Sequence, residues 1–172
     1  MADQLRKYTA NSTVFREGEA GDWACLVRAG QFELFKGVGE EKKVIAVTGP
    51  GTIFGELALI DKGQRMASAR CVEAGELMLI DRARFLQKLA GLSAGQRGVY
   101  NELLGFVRET PVWSAPKYGE TPIPMTDKAK RVQAVLPQIE TAKLLETGDN
   151  FLDVLTKTLV YYAKRRLPPA GA

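Results

Sequence analysis

From Lys7 to about Ile80 the apolar positions come in short runs of Val, Ile, Phe and Leu, separated by glycine and acidic residues. Runs of that length and spacing predict an all-β sandwich or barrel. The predicted strands are Lys7–Ala10, Val14–Arg16, Trp23–Ala29, Gln31–Lys36, Lys42–Val47, Met66–Cys71 and Gly75–Asp81. In Gln31–Lys36 polar and apolar residues alternate strictly, which gives one wet and one dry face. Gly30, Gly37 and Gly39 are expected to supply the turns around that pair of strands.

After Asp81 the period becomes helical. Phe85, Leu86 and Leu89 form the stripe of a short helix, with Gly91 placed to stop it. Ser93 is the expected N-cap of a second helix reaching about Glu109, whose Val99, Leu103, Phe106 and Val107 recur on one side. Residues 110 to 125 hold four prolines and cannot continue a helix. Helical spacing resumes at Thr126 or Asp127 and runs to about Glu146, with a kink or break expected at Pro137. A last helix, from Asp149 to about Leu167, presents Phe151, Leu152, Leu155, Leu159, Tyr162 and Ala163 on one face and ends in Lys164, Arg165 and Arg166. The predicted organisation is a first domain over 1–110, a Pro-rich linker over 111–125 and a helical extension over 126–172.

At 172 residues, 45% hydrophobic and 26% charged, the chain suits one soluble core with an appendage rather than a disordered or membrane protein. No apolar stretch approaches the ~20 residues needed to span a bilayer. Met1 to Tyr8 lacks the apolar core of a secretory signal, so a cytoplasmic location is expected. Cys25 and Cys71 lie in predicted strands without metal-ligand spacing and read as buried apolar side chains. The net charge is only +4 and histidine is absent, which removes the commonest general base and metal ligand and argues against an enzyme.

The chemistry concentrates in Gly51-Thr52-Ile53-Phe54-Gly55-Glu56-Leu57-Ala58-Leu59-Ile60 and the following Asp61-Lys62-Gly63-Gln64-Arg65-Met66-Ala67-Ser68-Ala69. This reads as a glycine-bearing turn, one turn of helix, a loop and an arginine opening the next strand. Gly55 lets a ligand approach the backbone, and the amides of Glu56, Leu57 and Ala58 point at an anion on which Arg65 can close. Glu56 beside an anion site makes sense if the ligand carries a hydroxyl near its phosphate, as a 3′,5′-cyclic nucleotide does. The alternative is a plain turn, with Glu56 solvated and Arg65 paired with Asp61 at the surface.

Phe54-Gly55-Glu56-Leu57-Ala58-Leu59 with Arg65-Met66-Ala67 resembles the phosphate-binding cassette of the cyclic-nucleotide-binding family, and the likeness extends through Phe15-Arg16-Glu17-Gly18-Glu19, Gly30 and Gly49 over residues 7 to 109. The resemblance implies a mainly β fold: a double-stranded β-helix (jelly-roll) barrel with C-terminal helices, here with a further helical tail. It places the ribose contact on Glu56, the phosphate on Arg65 and nearby amides, and the cradle on Gly55, Leu57, Ala58 and Ala67, with Phe54 and Met66 also among the ligand-binding residues. A residue of the last helix would cap the base, with Tyr100, Leu103 and Leu104 as candidates. Family members that favour cGMP often carry threonine directly after the arginine; Met66 stands there and points to cAMP, while Ser68 on the same side leaves room for residual cGMP binding. The helical segment that often precedes the first strand is almost absent.

The expectation is a non-enzymatic cAMP sensor or regulatory protein that acts on an unidentified protein effector through movement of helices, with no catalytic residues and no metal. The rivals are a scaffold that has lost nucleotide binding, a cAMP-dependent transcription regulator and a phosphodiesterase. The tail lacks the β-hairpin of a winged helix-turn-helix, so nucleic-acid binding is not expected. The apolar face of the last helix is expected either to pack within the chain or to form a homodimer seam.

Overall fold

The computed structural model describes residues 4–59, 63–110, 125–141 and 147–168. These form six antiparallel strands followed by four α-helices: β1 (Gln4–Tyr8), β2 (Thr13–Phe15), β3 (Trp23–Lys36), β4 (Lys43–Thr48), β5 (Ile53–Phe54), β6 (Ser68–Asp81), α1 (Arg82–Ala90), α2 (Ala94–Glu109), α3 (Asp127–Thr141) and α4 (Asn150–Lys164). Short 3-10 helices, Gly39–Glu41 and Glu56–Leu59, lie between strands. The chain divides into two compact units, residues 1–89 and 90–172. This division falls near the end of α1, and α2 packs with α3 and α4. The Pro-rich segment 111–124 and the stretch 142–146 lie outside the described residues.

The sheet unit is organised by two 14-residue strands, β3 and β6, paired along nearly their whole length. Their outer edges change partner along the way. β6 takes β2 at its start and β1 towards its end, while β3 takes β5 at its start and β4 at its end. Each strand thus serves two halves of the sheet, and the register shifts between Val27 and Phe32 mark where the pair changes course. The core draws on both halves: Phe15, Phe32, Ala69 and Cys71 from one, Cys25, Val27, Phe54, Leu77 and Leu79 from the other. Phe54 joins them, with ring centroids 5.8 Å from Phe32 and 5.9 Å from Phe15.

Two expectations are corrected here. Trp23–Ala29 and Gln31–Lys36 are one strand, not two strands turning at Gly30. Gly30 does adopt φ +78°, but a Cβ there would lie 2.6 Å from Gly75 Cα, and a Cβ on Gly75 would lie 2.4 Å from Ala29 O. The glycines permit a bulged close approach of two backbones rather than a reversal. Gly75 likewise sits inside β6, which is continuous from Ser68. Secondly, among the described residues the four α-helices hold more residues than the six strands, and the strand path β1-β6-β3-β4 is not closed by hydrogen bonds. The fold is an antiparallel sheet followed by helices rather than mainly β, because the tail from Thr126 contributes two helices of 15 residues each. β5 escapes sequence reading since two residues carry no period.

Within the helical unit, Ser93 caps α2 in a capping box: its hydroxyl accepts from Gln96 N at 3.3 Å, and the Gln96 carbonyl oxygen accepts from Ser93 N at 3.1 Å. Asp149 caps α4 by accepting from the amides of Phe151 and Leu152. α3 runs through Pro137 to Thr141 without a break. Phe151, Leu152, Leu155, Leu159 and Ala163 of α4 are buried within the single chain, and Tyr162 of the same face is partly buried. The terminal cations are engaged internally: Lys164 pairs with Glu140 at 2.6 Å, and Arg166 donates to Thr110 O at 2.8 Å. No described helix is long and apolar enough to cross a membrane.

Candidate functional site

Arg65 does not open a strand. It lies on the loop before β6, in a backbone ladder with the segment after β2: Gly18 N donates to Arg65 O at 2.9 Å, Arg65 N donates to Glu19 O at 2.8 Å, and Ala20 bridges Gln64. The residue is only 3% exposed, which overturns the alternative of a surface pair with Asp61; Asp61 itself lies outside the described residues. Burial lowers the guanidinium's pKa from its ordinary value, and nearby Glu56, Asp22 and Glu19 are among the groups that oppose this electrostatically.

The head of Arg65 is held on several sides. Nη1 donates to Gly55 O and Nη2 to Trp23 O, each at 2.7 Å. Its Cζ lies 4.1 Å from the Phe15 ring centroid and 4.6 Å from that of Trp23. Nε is enclosed and has no hydrogen-bond partner among the described residues.

Gly55 is required twice over. Its φ is +77°, a region glycine enters without steric cost, and a Cβ would lie 2.6 Å from Arg65 Nη1. Ahead of it, Val27 N donates to Thr52 O and Gly51 N donates to Val27 O, which ties the 49–52 turn to β3 and delivers Phe54 to the core. Behind it, Glu56, Ala58 and Leu59 are buried in the one-turn helix, with Leu57 partly exposed and Glu56 only 1% exposed. Met66 and Ala67 lie in the bend before β6, both partly buried. Ser68 Oγ accepts from Glu17 N at 3.0 Å.

The structure thus brings Gly55, Arg65 and the Glu56–Leu59 turn to one end of the sheet unit. The base-lid candidates Tyr100, Leu103 and Leu104 belong to the helical unit and are buried. The Tyr100 hydroxyl donates to Leu152 O at 2.9 Å and lies beside Thr156 Oγ1; burial raises its pKa to about 12. Two contributors escaped the sequence reading. Trp23 stacks on the guanidinium, and Gly21 lets its loop approach, since a Cβ on Gly21 would lie 2.2 Å from Ala58 Cβ. The available signal was an aromatic and a glycine flanking Asp22 in a polar turn, which tertiary contact alone connects to residues 55 to 65. Cys25 and Cys71 are free, buried thiols, and the pKa of each is raised by burial. Among the described residues, no group of three or more Cys, Asp or Glu gathers to hold a metal.

The chain belongs to the cyclic nucleotide-binding domain family, which it matches over residues 5–91. It is similar to the cyclic AMP receptor protein of Thermus thermophilus, 38% identical over 84 residues that make up 48% of this chain and 39% of that protein. Among solved structures it is similar to the regulatory domain of Toxoplasma gondii protein kinase A with cAMP, at 32% identity and TM-score 0.52 over 62% of this chain and 41% of that one. It is also similar to the EAL enzyme Bd1971 in its cAMP-bound form, at 28% identity and TM-score 0.57 over 61% of this chain and 28% of that one. The chain spans well under half the length of each of these relatives.

Proposed function

We propose that this protein is a cAMP-preferring sensor or regulatory protein of the cytoplasm that works without catalysis, by reversible binding in a jelly-roll pocket. The observation that carries the reading is the buried Arg65, held by the carbonyls of Gly55 and Trp23 with Nε left without a hydrogen-bond partner among the described residues. A guanidinium kept out of water retains a strong, directional attraction for a phosphate. Glu56 would take the ribose hydroxyl, the amides of Leu57 and Ala58 would support the phosphate, and Phe54, Met66 and Ala67 would shape the cradle. Met66 favours cAMP over cGMP, because it lacks the hydroxyl that threonine would offer a guanine amino group. Ligand binding would change the populations of the helices that follow the sheet, and an effector protein would read the change.

Isothermal titration with cAMP and cGMP, beside Arg65→Ala, tests this reading. Saturable binding that favours cAMP and disappears in the variant supports it. The absence of binding to either nucleotide makes the protein a scaffold with the family fold, and tighter cGMP binding overturns the preference. Incubation with cAMP followed by product analysis tests the absence of catalysis.

A further inference from the structure

The aromatic residues around Arg65 form a wedge. Phe15 and Trp23 meet with ring centroids 5.7 Å apart and planes inclined at 66°, and the guanidinium carbon lies within 4.6 Å of both centroids. Trp23 contributes twice, since its own carbonyl accepts from Nη2. Trp23 is anchored at the start of β3, paired with Asp81, and Phe15 ends β2, paired with Ala69, so each ring projects from a strand of the central sheet. Ring faces attract a guanidinium electrostatically, and more strongly where water is excluded.

We infer that Trp23, supported by Phe15, is the positioning residue that sets the affinity of the phosphate site by holding the Arg65 guanidinium in place. The inference rests on the nucleotide-binding reading. An arginine on a flexible stem loses rotamer entropy when it closes on an anion, and a guanidinium already fixed by two carbonyls and two rings has little left to lose. Trp23 acts through Arg65 and is not assigned a contact with the nucleotide.

The test has two parts on the full chain. Trp23→Leu retains apolar bulk but removes the ring, whereas Trp23→Phe retains an aromatic face. The expected result is a loss of cAMP affinity of about 3- to 30-fold for Trp23→Leu and recovery of most of it in Trp23→Phe. Equal affinities for the wild type and Trp23→Leu, or equal losses in both variants, overturn the inference. Independently of nucleotide, urea unfolding of Trp23→Leu, Arg65→Gln and the double variant forms a cycle. A double-variant midpoint shift smaller than the sum of the single shifts supports the wedge, and strict additivity overturns it. Failure of the wild type to bind cAMP defeats the nucleotide reading and the affinity role together, while a non-additive cycle would still establish the physical contact.

Discussion

Gly21 and Ala58 pass so closely that a Cβ on Gly21 would lie 2.2 Å from the Ala58 Cβ and 3.4 Å from Arg65 Cζ. The loop between β2 and β3 therefore rests directly on the one-turn helix that follows Gly55. Gly21→Ala must push that turn or Arg65 aside, and it is expected to cost about 1–3 kcal/mol of stability and to weaken nucleotide binding as well. Gly98 in α2 is the contrasting case, with nothing within 4 Å of its Cβ position. Gly98→Ala is expected to stabilise by about 0.5–1 kcal/mol through helix propensity. Urea unfolding of both variants, with titration of Gly21→Ala, checks the pair.

Arg65→Lys is not a mild change at this position. A lysine ammonium is a point charge on a flexible stem and cannot reproduce a planar fork bonded to the carbonyls of Gly55 and Trp23. Both Arg65→Lys and Arg65→Ala are expected to lose about 30-fold or more in affinity. Calorimetry would show it, and a lysine variant that binds like the wild type would reduce the site to a simple charge attraction.

The crossing of β3 and β6 tolerates no side chain at residue 75. A Cβ on Gly75 would meet Ala29 O at 2.4 Å and Gly30 Cα at 3.0 Å, and backbone atoms cannot swing away as a side-chain end can. Gly75→Ala is expected to destabilise the sheet unit by about 3 kcal/mol or more. Thermal unfolding followed by near-UV circular dichroism gives the measurement.

Tyr100 ties α2 to α4 through its hydroxyl, so Tyr100→Phe should cost the helical unit about 1 kcal/mol near neutral pH. Burial holds the folded-state pKa at about 12, above the ordinary tyrosine value of 10.0. Between these values the unfolded chain has lost the proton that the folded chain keeps, so stability falls as pH rises through this window. Tyr100→Phe lacks that loss. The stability gap between wild type and variant should therefore narrow from pH 10 to pH 12, as followed by urea unfolding monitored in the far-UV.

Much of this protein was legible along the chain. The strand-rich first half, the Ser93 cap and the onset of α3 and α4 all follow from local rules, and the family itself was legible in the motif Phe54-Gly55-Glu56-Leu57-Ala58-Leu59 with Arg65. Hydrophobic period, capping chemistry and glycine placement act over a few residues. What stayed hidden depends on residues far apart in sequence.

Gly30 looks like a turn glycine and Gly75 like the start of a strand when each is read alone, and only their juxtaposition shows two long strands where the sequence suggests two pairs of short ones. The sequence singles out Arg65 as a candidate but not as a buried group, because its burial comes from Phe15 and Trp23 on the strands and from the Gly21 loop. The tail helices announced their apolar faces, yet only packing within one chain decided that α4 covers α2 rather than standing free. A face, a charge or a glycine is a property of the sequence. Its partner is a property of the fold, since burial free energy is collected only when distant segments meet.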